Sequence, residues 1–346
     1  MRAIRLIIFL AVIVGVLWAG AWFGASRYAQ SSLDQAAAAA AAGRPGADCT
    51  ERRITGFPLT LSISCAETQV VVPVRGVAAR LAGLVAEAPF YRPGFVSTAL
   101  TSPMTLEGPG DIRAEATWQD ANATATAGIW PMGVKQTNGT VENLELKLSG
   151  LPVDAVTVGH GTAGIGSSPL ANSLRADVSF DALKLVRTGG GDLPEATGEA
   201  RVDLVGTGGT VTRDLDEQMR VWFANGGNIV LDHAAVKLGG VTFSATGKLT
   251  VSPAGVLSGD LAVSLTGVEK LADLAETIRP GSRDKTEQVA GVLEALATPV
   301  ETDTGTTQRL SSKMAIRNGV VILGFIPLFR LPSVFELAGA RPPSEG

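Results

Sequence analysis

Leu6 to Ala25 is a run of twenty positions without a charged or strongly polar side chain, placed directly after Arg2 and Arg5. At about 1.5 Å of rise per helical residue, such a run reaches about 30 Å, the hydrocarbon thickness of a bilayer. It therefore decides where the rest of the chain must fold. Both arginines precede it, so the positive-inside rule predicts a cytoplasmic N-terminus and an exported body. A cleaved secretory signal is the alternative. Its apolar stretch is ordinarily about 7–15 residues long, and the small-residue positions after Ala25 are interrupted by Arg27 and Tyr28. Length thus favours a retained single-pass anchor over residues 1–27. Trp18, Trp22 and Tyr28 gather towards the exported end, where amphipathic rings suit the membrane interface.

The segment 28–46 reads as an Ala-rich helical stalk. Ala36 to Ala42 are seven consecutive alanines, the strongest helix former, and Gly43, Pro45 and Gly46 stop them. Roughly 300 residues follow, enough for one large or two ordinary domains. A net charge of −4 argues against a nucleic-acid partner, which needs a basic surface. Forty-one glycines, few aromatics and abundant Val, Thr and Leu suit short strands joined by Gly turns. The two cysteines, Cys49 and Cys65, both lie in the exported region and flank an alternating stretch from Leu59. In an oxidising compartment they are expected to form a disulfide. Neither a Cys-x-x-Cys spacing nor a neighbouring histidine supports thiol chemistry.

The fold class expected is mainly β with a few short helices, arranged as two meandering, curved antiparallel lobes behind the transmembrane helix. The first lobe covers 47–205 and contains the disulfide. Strands are expected at Thr68–Val74, Asp111–Trp118, Asn122–Gly128 and Thr140–Ser149, with a further pair within Ala171–Arg187. Val77–Ala86 carries apolar residues at helical spacing and reads as a short amphipathic helix. The second lobe covers 206–335. Its strands are expected at Asn228–Leu231, Ala234–Leu238, Val241–Val251, Gly259–Thr266 and Ser311–Leu323, and its helices at Asp214–Ala224, Lys270–Ile278 and Lys285–Leu296. Residues 336–346 read as a disordered tail.

Cys49, the Gly56-Phe57-Pro58 turn and Cys65 resemble the opening signature of the family catalogued as domain of unknown function 2125, a set of alphaproteobacterial envelope proteins. Tyr91-Arg92-Pro93, Ser102-Pro103, Trp118, and Trp222 with Gly226-Gly227 fit the same resemblance. So do Thr246-Gly247-Lys248-Leu249, Gly259-Asp260-Leu261, Asn318-Gly319-Val320 and Leu331-Pro332, and the likeness spans about residues 1 to 335. A looser similarity is to AsmA-like periplasmic proteins, whose long curved sheets have apolar concave faces and are linked to lipid traffic. The resemblance implies a bacterial envelope protein and supplies no catalytic residues; together with the apolar run it gives the expectation of an inner-membrane protein with a periplasmic body.

Chemistry-bearing motifs are few. His160 sits in Gly159-His160-Gly161, which reads as a flexible loop, and His233 follows Asp232 between strands. A zinc site needs three or four converging ligands, which this pattern does not supply. Gly206-Thr207-Gly208-Gly209-Thr210 lacks the Gly-Lys-Ser/Thr ending of a phosphate loop and reads as a hairpin turn. No Gly-x-Ser-x-Gly elbow is present. No enzyme activity, metal or cofactor is expected. The one segment with a functional excess is Gly324–Leu331, where Phe325, Ile326, Leu328, Phe329 and Leu331 are apolar on both faces of a strand. Either it is a terminal strand buried on both sides, or it is a lip that contacts acyl chains or a membrane protein. The function expected is a non-enzymatic, membrane-anchored periplasmic protein that binds or shields lipid or another apolar envelope component. The alternative is a scaffold that docks envelope proteins through sheet edges. The partners implied are the inner membrane, lipid and envelope proteins, with no nucleic acid.

Overall fold

A computed structural model describes residues 2–42, 46–72, 77–107, 113–128, 133–150, 153–187, 193–211, 215–302, 305–323 and 326–338. The chain is strand-rich and antiparallel and divides into two units, Met1–Thr126 and Ala127–Gly346. The division falls inside one strand, well before the boundary at 205/206 that the sequence suggests. Residues 339–346, most of the expected tail, lie outside the described residues.

Unit 1 opens with α1 (Arg2–Ala41), a single 40-residue helix that joins the expected span and stalk without a break. The side chains of residues 1–8, 10 and 11, which hold the first part of the span, lie outside the described ones. Among the described residues, no helix is long and apolar enough to cross a membrane. The strands are β1 (Gly46–Thr50), β2 (Arg53–Thr55), β3 (Thr60–Cys65), β4 (Glu67–Val72), β5 (Val77–Pro89), β6 (Phe95–Glu107), β7 (Arg113–Thr117) and β8 (Asp120–Gly128). The long β5–β6 hairpin is central. One edge of β5 takes β4 and then β3 in line, with a bulge between Leu81 and Gly83 at the handover. The free edge of β6 takes β7 and β8 the same way. Val77–Ala86, expected as a helix, is thus the N-terminal part of β5. Its helical spacing of Val and Leu loses to backbone pairing along both edges, a tertiary override of propensity.

The stalk does not stand clear of this sheet. Ala19, Trp22, Ala25, Ser26, Ala29, Leu33, Ala36 and Ala40 are buried or half-buried and recur every three or four residues, so one face of α1 lies against unit 1. A Cβ at Gly46 would overlap the Ala36 carbonyl oxygen and the Ala40 nitrogen. The alanines therefore do more than favour a helix: with Gly46 they let it approach β1 backbone to backbone. Arg52 and Asp34, 2.7 Å apart, add an exposed ion pair across the contact.

Unit 2 is one long meander. Strands β9 (Gly133–Ser149), β10 (Val153–Ser167), β11 (Ser173–Arg187), β12 (Ala196–Val205), β13 (Gly227–Leu238), β14 (Val241–Val251) and β15 (Leu257–Thr266) pair in chain order. β15 then pairs with β17 (Gly305–Arg317), which also takes β16 (Thr298–Thr302) and β18 (Val320–Leu323); β19 (Ile326–Arg330) follows β18. The helices α2 (Leu215–Ala224), α3 (Leu271–Ile278) and α4 (Arg283–Leu296) form near their expected places. A short α5 (Val334–Ala338) places Phe335 4.9 Å from Phe223 of α2. Leu261, Ile316 and Val321 are the centre of a core cluster that also packs Leu231, Leu249 and Leu331.

Three local expectations change. The supposed loop around His160 is the middle of β10, and Ala171–Arg187 contains one strand, β11, instead of two. Ser311–Leu323 is broken at Asn318 and Gly319, both with positive φ, into the β17–β18 hairpin. Asn-Gly is the preferred pair for such a turn because both central residues must be left-handed.

Candidate functional site

Cross-strand partners in an antiparallel sheet put their side chains on the same face, so the register of unit 2 sorts its residues into two faces. One face is polar. Thr162 and Ser179 lie 2.7 Å apart on neighbouring strands, and Ser244 and Ser264 2.8 Å apart. His160 Nδ1 is 2.6 Å from Glu142, and His233 Nε2 is 3.2 Å from Glu199. Both histidines are strand residues next to a glutamate on a neighbouring strand. Among the described residues, no group of three or more His, Cys, Asp or Glu could hold a metal ion.

Near one end of these strands, Asp203 is almost fully buried. Arg175, its cross-strand partner, donates from Nε and Nη2 to the two carboxylate oxygens at 2.8 and 2.7 Å, and the Ser168 hydroxyl donates at 2.7 Å. The Arg175 hydrogen bonds hold the Asp203 carboxyl below the usual carboxylate range and outweigh the opposing effect of burial. Asp232 sits at a bulge, 3.7 Å from Arg175 and 3.8 Å from Arg201. Asp203, Arg175 and Ser168 thus satisfy one another, and Asp232 links the network to Arg201.

The other face is apolar, and its register produces a specific relief. Gly139, Ala163, Val178, Ala200, Ala234 and Ala245 are successive cross-strand partners from β9 to β14. They form a row running across the strands, small at every position but Val178. With strands about 4.8 Å apart, six of them span about 24 Å. On one side runs a row with Phe180, Val236, Phe243, Leu265 and Leu310; on the other, one with Ile165, Val202, Leu231, Leu261 and Met314. The result is a shallow trough, floored by Ala and Gly on either side of Val178, between larger apolar side chains. Phe180 lies over Gly198, where a Cβ would overlap its ring. Ile165, Val178, Val236 and Phe243 remain 42–47% exposed. Large apolar side chains thus stand in open contact with water on this face.

The terminal segment departs from the first of its two expectations. β19 pairs antiparallel with β18, with Leu328 and Phe329 51% and 57% exposed, so it is not buried on both sides. Leu331 packs against the core cluster. Phe325 and the side chain of Ile326 lie outside the described residues. The Gly206–Thr210 segment leads from β12 towards α2 and is not a hairpin turn. The amides of Gly206 and Gly208 donate to the Asn172 carbonyl, and Gln218 donates to the carbonyls of Thr207 and Thr210. Two amides that a phosphate would need are therefore engaged within the protein.

Cys49 and Cys65 form the expected disulfide, with Cα atoms 5.3 Å apart, tying β1 to the end of β3. Disulfides persist in oxidising compartments, which points to an extracytoplasmic body. A family described as "Uncharacterized protein conserved in bacteria (DUF2125)" matches residues 22–332. No curated protein and no solved structure matches the chain.

Proposed function

The chain belongs to the DUF2125 family, whose description assigns no activity, and from the geometry we propose a non-enzymatic, membrane-anchored periplasmic protein that carries or shields lipid on the apolar face of unit 2. The observation that carries this reading is the Ala/Gly trough with its half-exposed flanking side chains. An acyl chain laid across β9 to β14 would cover Ile165, Val178, Val236 and Phe243, gaining about 0.8 kcal/mol for each CH₂ removed from water. Inner-membrane attachment is supported by the Leu6–Ala25 run within one continuous helix, and the periplasmic placement by the disulfide. The ligand is a lipid or another long apolar envelope molecule, and no cofactor takes part. A second reading, an envelope scaffold without a lipid site, draws on β19, whose exposed Leu328 and Phe329 lie on a strand that could pair with a partner's strand.

Native mass spectrometry of the full chain, purified in mild detergent and followed by lipid extraction, separates the two. Phospholipid should accompany the wild type and be lost from Ala200→Asp/Ala234→Asp, which places two carboxylates in the trough. Ser179→Asp, on the polar face, should retain it. Lipid-free wild type, or equal lipid in all three, would sink the lipid reading.

A further inference from the structure

The exposed end of unit 1 meets α1 inside the apolar run, not beyond it. The Trp18 indole N–H donates to the Pro58 carbonyl at 2.7 Å, and that of Trp22 to the Thr60 carbonyl at 2.9 Å. Phe57 packs against Trp22 and Phe23 with ring centroids 5.5 and 6.0 Å apart, and Phe90 lies 5.9 Å from Trp18. The Phe90 amide donates to the Leu59 carbonyl at 2.9 Å, which ties the β2–β3 and β5–β6 turns into one tip. Helix and tip therefore share a fixed height.

That height has a consequence for the anchor. Leu6 to Leu17, the apolar residues before the first tip contact, are only twelve positions. They give about 18 Å of helix against about 30 Å of hydrocarbon. Even counting from Arg2 the helix reaches only about 24 Å before Trp18, with Arg2 and Arg5 inside it. The bilayer must extend past Trp18, and the tip must go into it. The outward side chains suit that position: Phe57, Leu59 and Tyr91 are 53–69% exposed, and Arg92 lies 4.1 Å over the Phe95 ring. Aromatic rings with a polar end, beside an arginine, are the side chains that settle at headgroup level.

We propose that the Phe57–Leu59 and Phe90–Arg92 turns are inserted in the outer leaflet of the membrane that α1 spans, so that unit 1 is seated in the bilayer surface instead of being tethered above it. This rests on the anchor reading above, and the test keeps the two separable. Both native cysteines are in the disulfide, so Leu59→Cys, Tyr91→Cys, Val12→Cys and Glu107→Cys each add one labelling site. Each full-length variant carries an environment-sensitive fluorophore in vesicles of phosphatidylethanolamine and phosphatidylglycerol, with or without lipids spin-labelled high on the acyl chain. Glu107, at the opposite end of β6 from the tip, is the solvent control. The expected result is loss of fluorescence at 12, 59 and 91, with a blue shift at 59 and 91, and no loss at 107. Quenching at 12 without quenching at 59 and 91 would overturn the seated tip and leave the anchor standing. No quenching at 12 would overturn the anchor and the tip with it.

Discussion

Asp203 holds three strands of meaning in one carboxylate: it is nearly fully buried, it faces Arg175 across the β11–β12 ladder, and its second donor is Ser168. Removing it leaves a guanidinium whose best partner has gone. Asp203→Ala is expected to cost about 2–3 kcal/mol, less than a fully buried pair because Arg175 keeps some contact with water, read as a lower urea midpoint. Its folded pKa lies below the unfolded value, so its stabilisation is complete above an unfolded pKa of about 3.9 and is lost as pH falls through the lower native value. The wild-type urea midpoint should therefore drop below about pH 4, and Asp203→Asn should show a smaller drop; parallel acid profiles would contradict this assignment. Glycine matters at the same scale. Gly198 leaves room for the Phe180 ring, and Gly161, where a Cβ would come 3.0 Å from Val141, gives similar room two strands over. These glycines obscured β10 in the sequence. Gly159, Gly161, Gly164 and Gly166 look like a loop because glycine disfavours strands, and only the neighbouring side chains explain why they are there.

The elements that declared themselves were those with strong periodicity or turn chemistry. Leu271–Ile278 and Arg283–Leu296 carry clear apolar stripes, and the disulfide joins two cysteines that follow a long apolar run in the sequence. β5 did not, since its Ala and Leu content is equally good helix. Nor did the docking of α1: an alanine run announces a helix but not what the helix touches. That contact makes a prediction. Gly46→Ala should lift α1 from β1, at about 1–3 kcal/mol for an overpacked contact. Freed from the sheet, an alanine helix is marginal in water, so hydrogen exchange across residues 29–41 should accelerate; unchanged protection there would show that the helix does not depend on β1. The disulfide closes a separation of 16 residues between β1 and β3. Loss of both cysteines in Cys49→Ser/Cys65→Ser should lower stability by about 3 kcal/mol in the chain-entropy model, and dithiothreitol should shift the wild-type urea midpoint to that of the variant.

At the scale of the whole chain, the trough was the least legible feature. Its residues, Gly139, Ala163, Val178, Ala200, Ala234 and Ala245, are spread over more than a hundred positions and become neighbours only through the register, including the extra residue at Asp232. Alternation within a strand predicts an apolar face; it does not predict which small residues line up across six strands. The terminal Gly324–Leu331 segment drew attention for its local apolarity, whereas the broad apolar surface lies in the middle of the meander. The anchor reading also belongs to this scale. The chain should remain in the membrane fraction after alkaline extraction and retain a peptide from the Leu6–Ala25 run, whereas a mature protein starting after Ala25 would contradict retention. The lipid reading depends on one face of one sheet, and adjacent residues on β11 and β13 point to opposite faces: Val178 and Val236 to the trough side, Ser179 and Lys237 to the polar side. A photo-activatable side chain placed singly at these four positions in the full chain, irradiated in cells whose phospholipids carry ³²P, tests it directly. The account predicts labelled lipid adducts at 178 and 236 and none at 179 and 237; equal labelling on both faces, or protein adducts alone at 178 and 236, would contradict it.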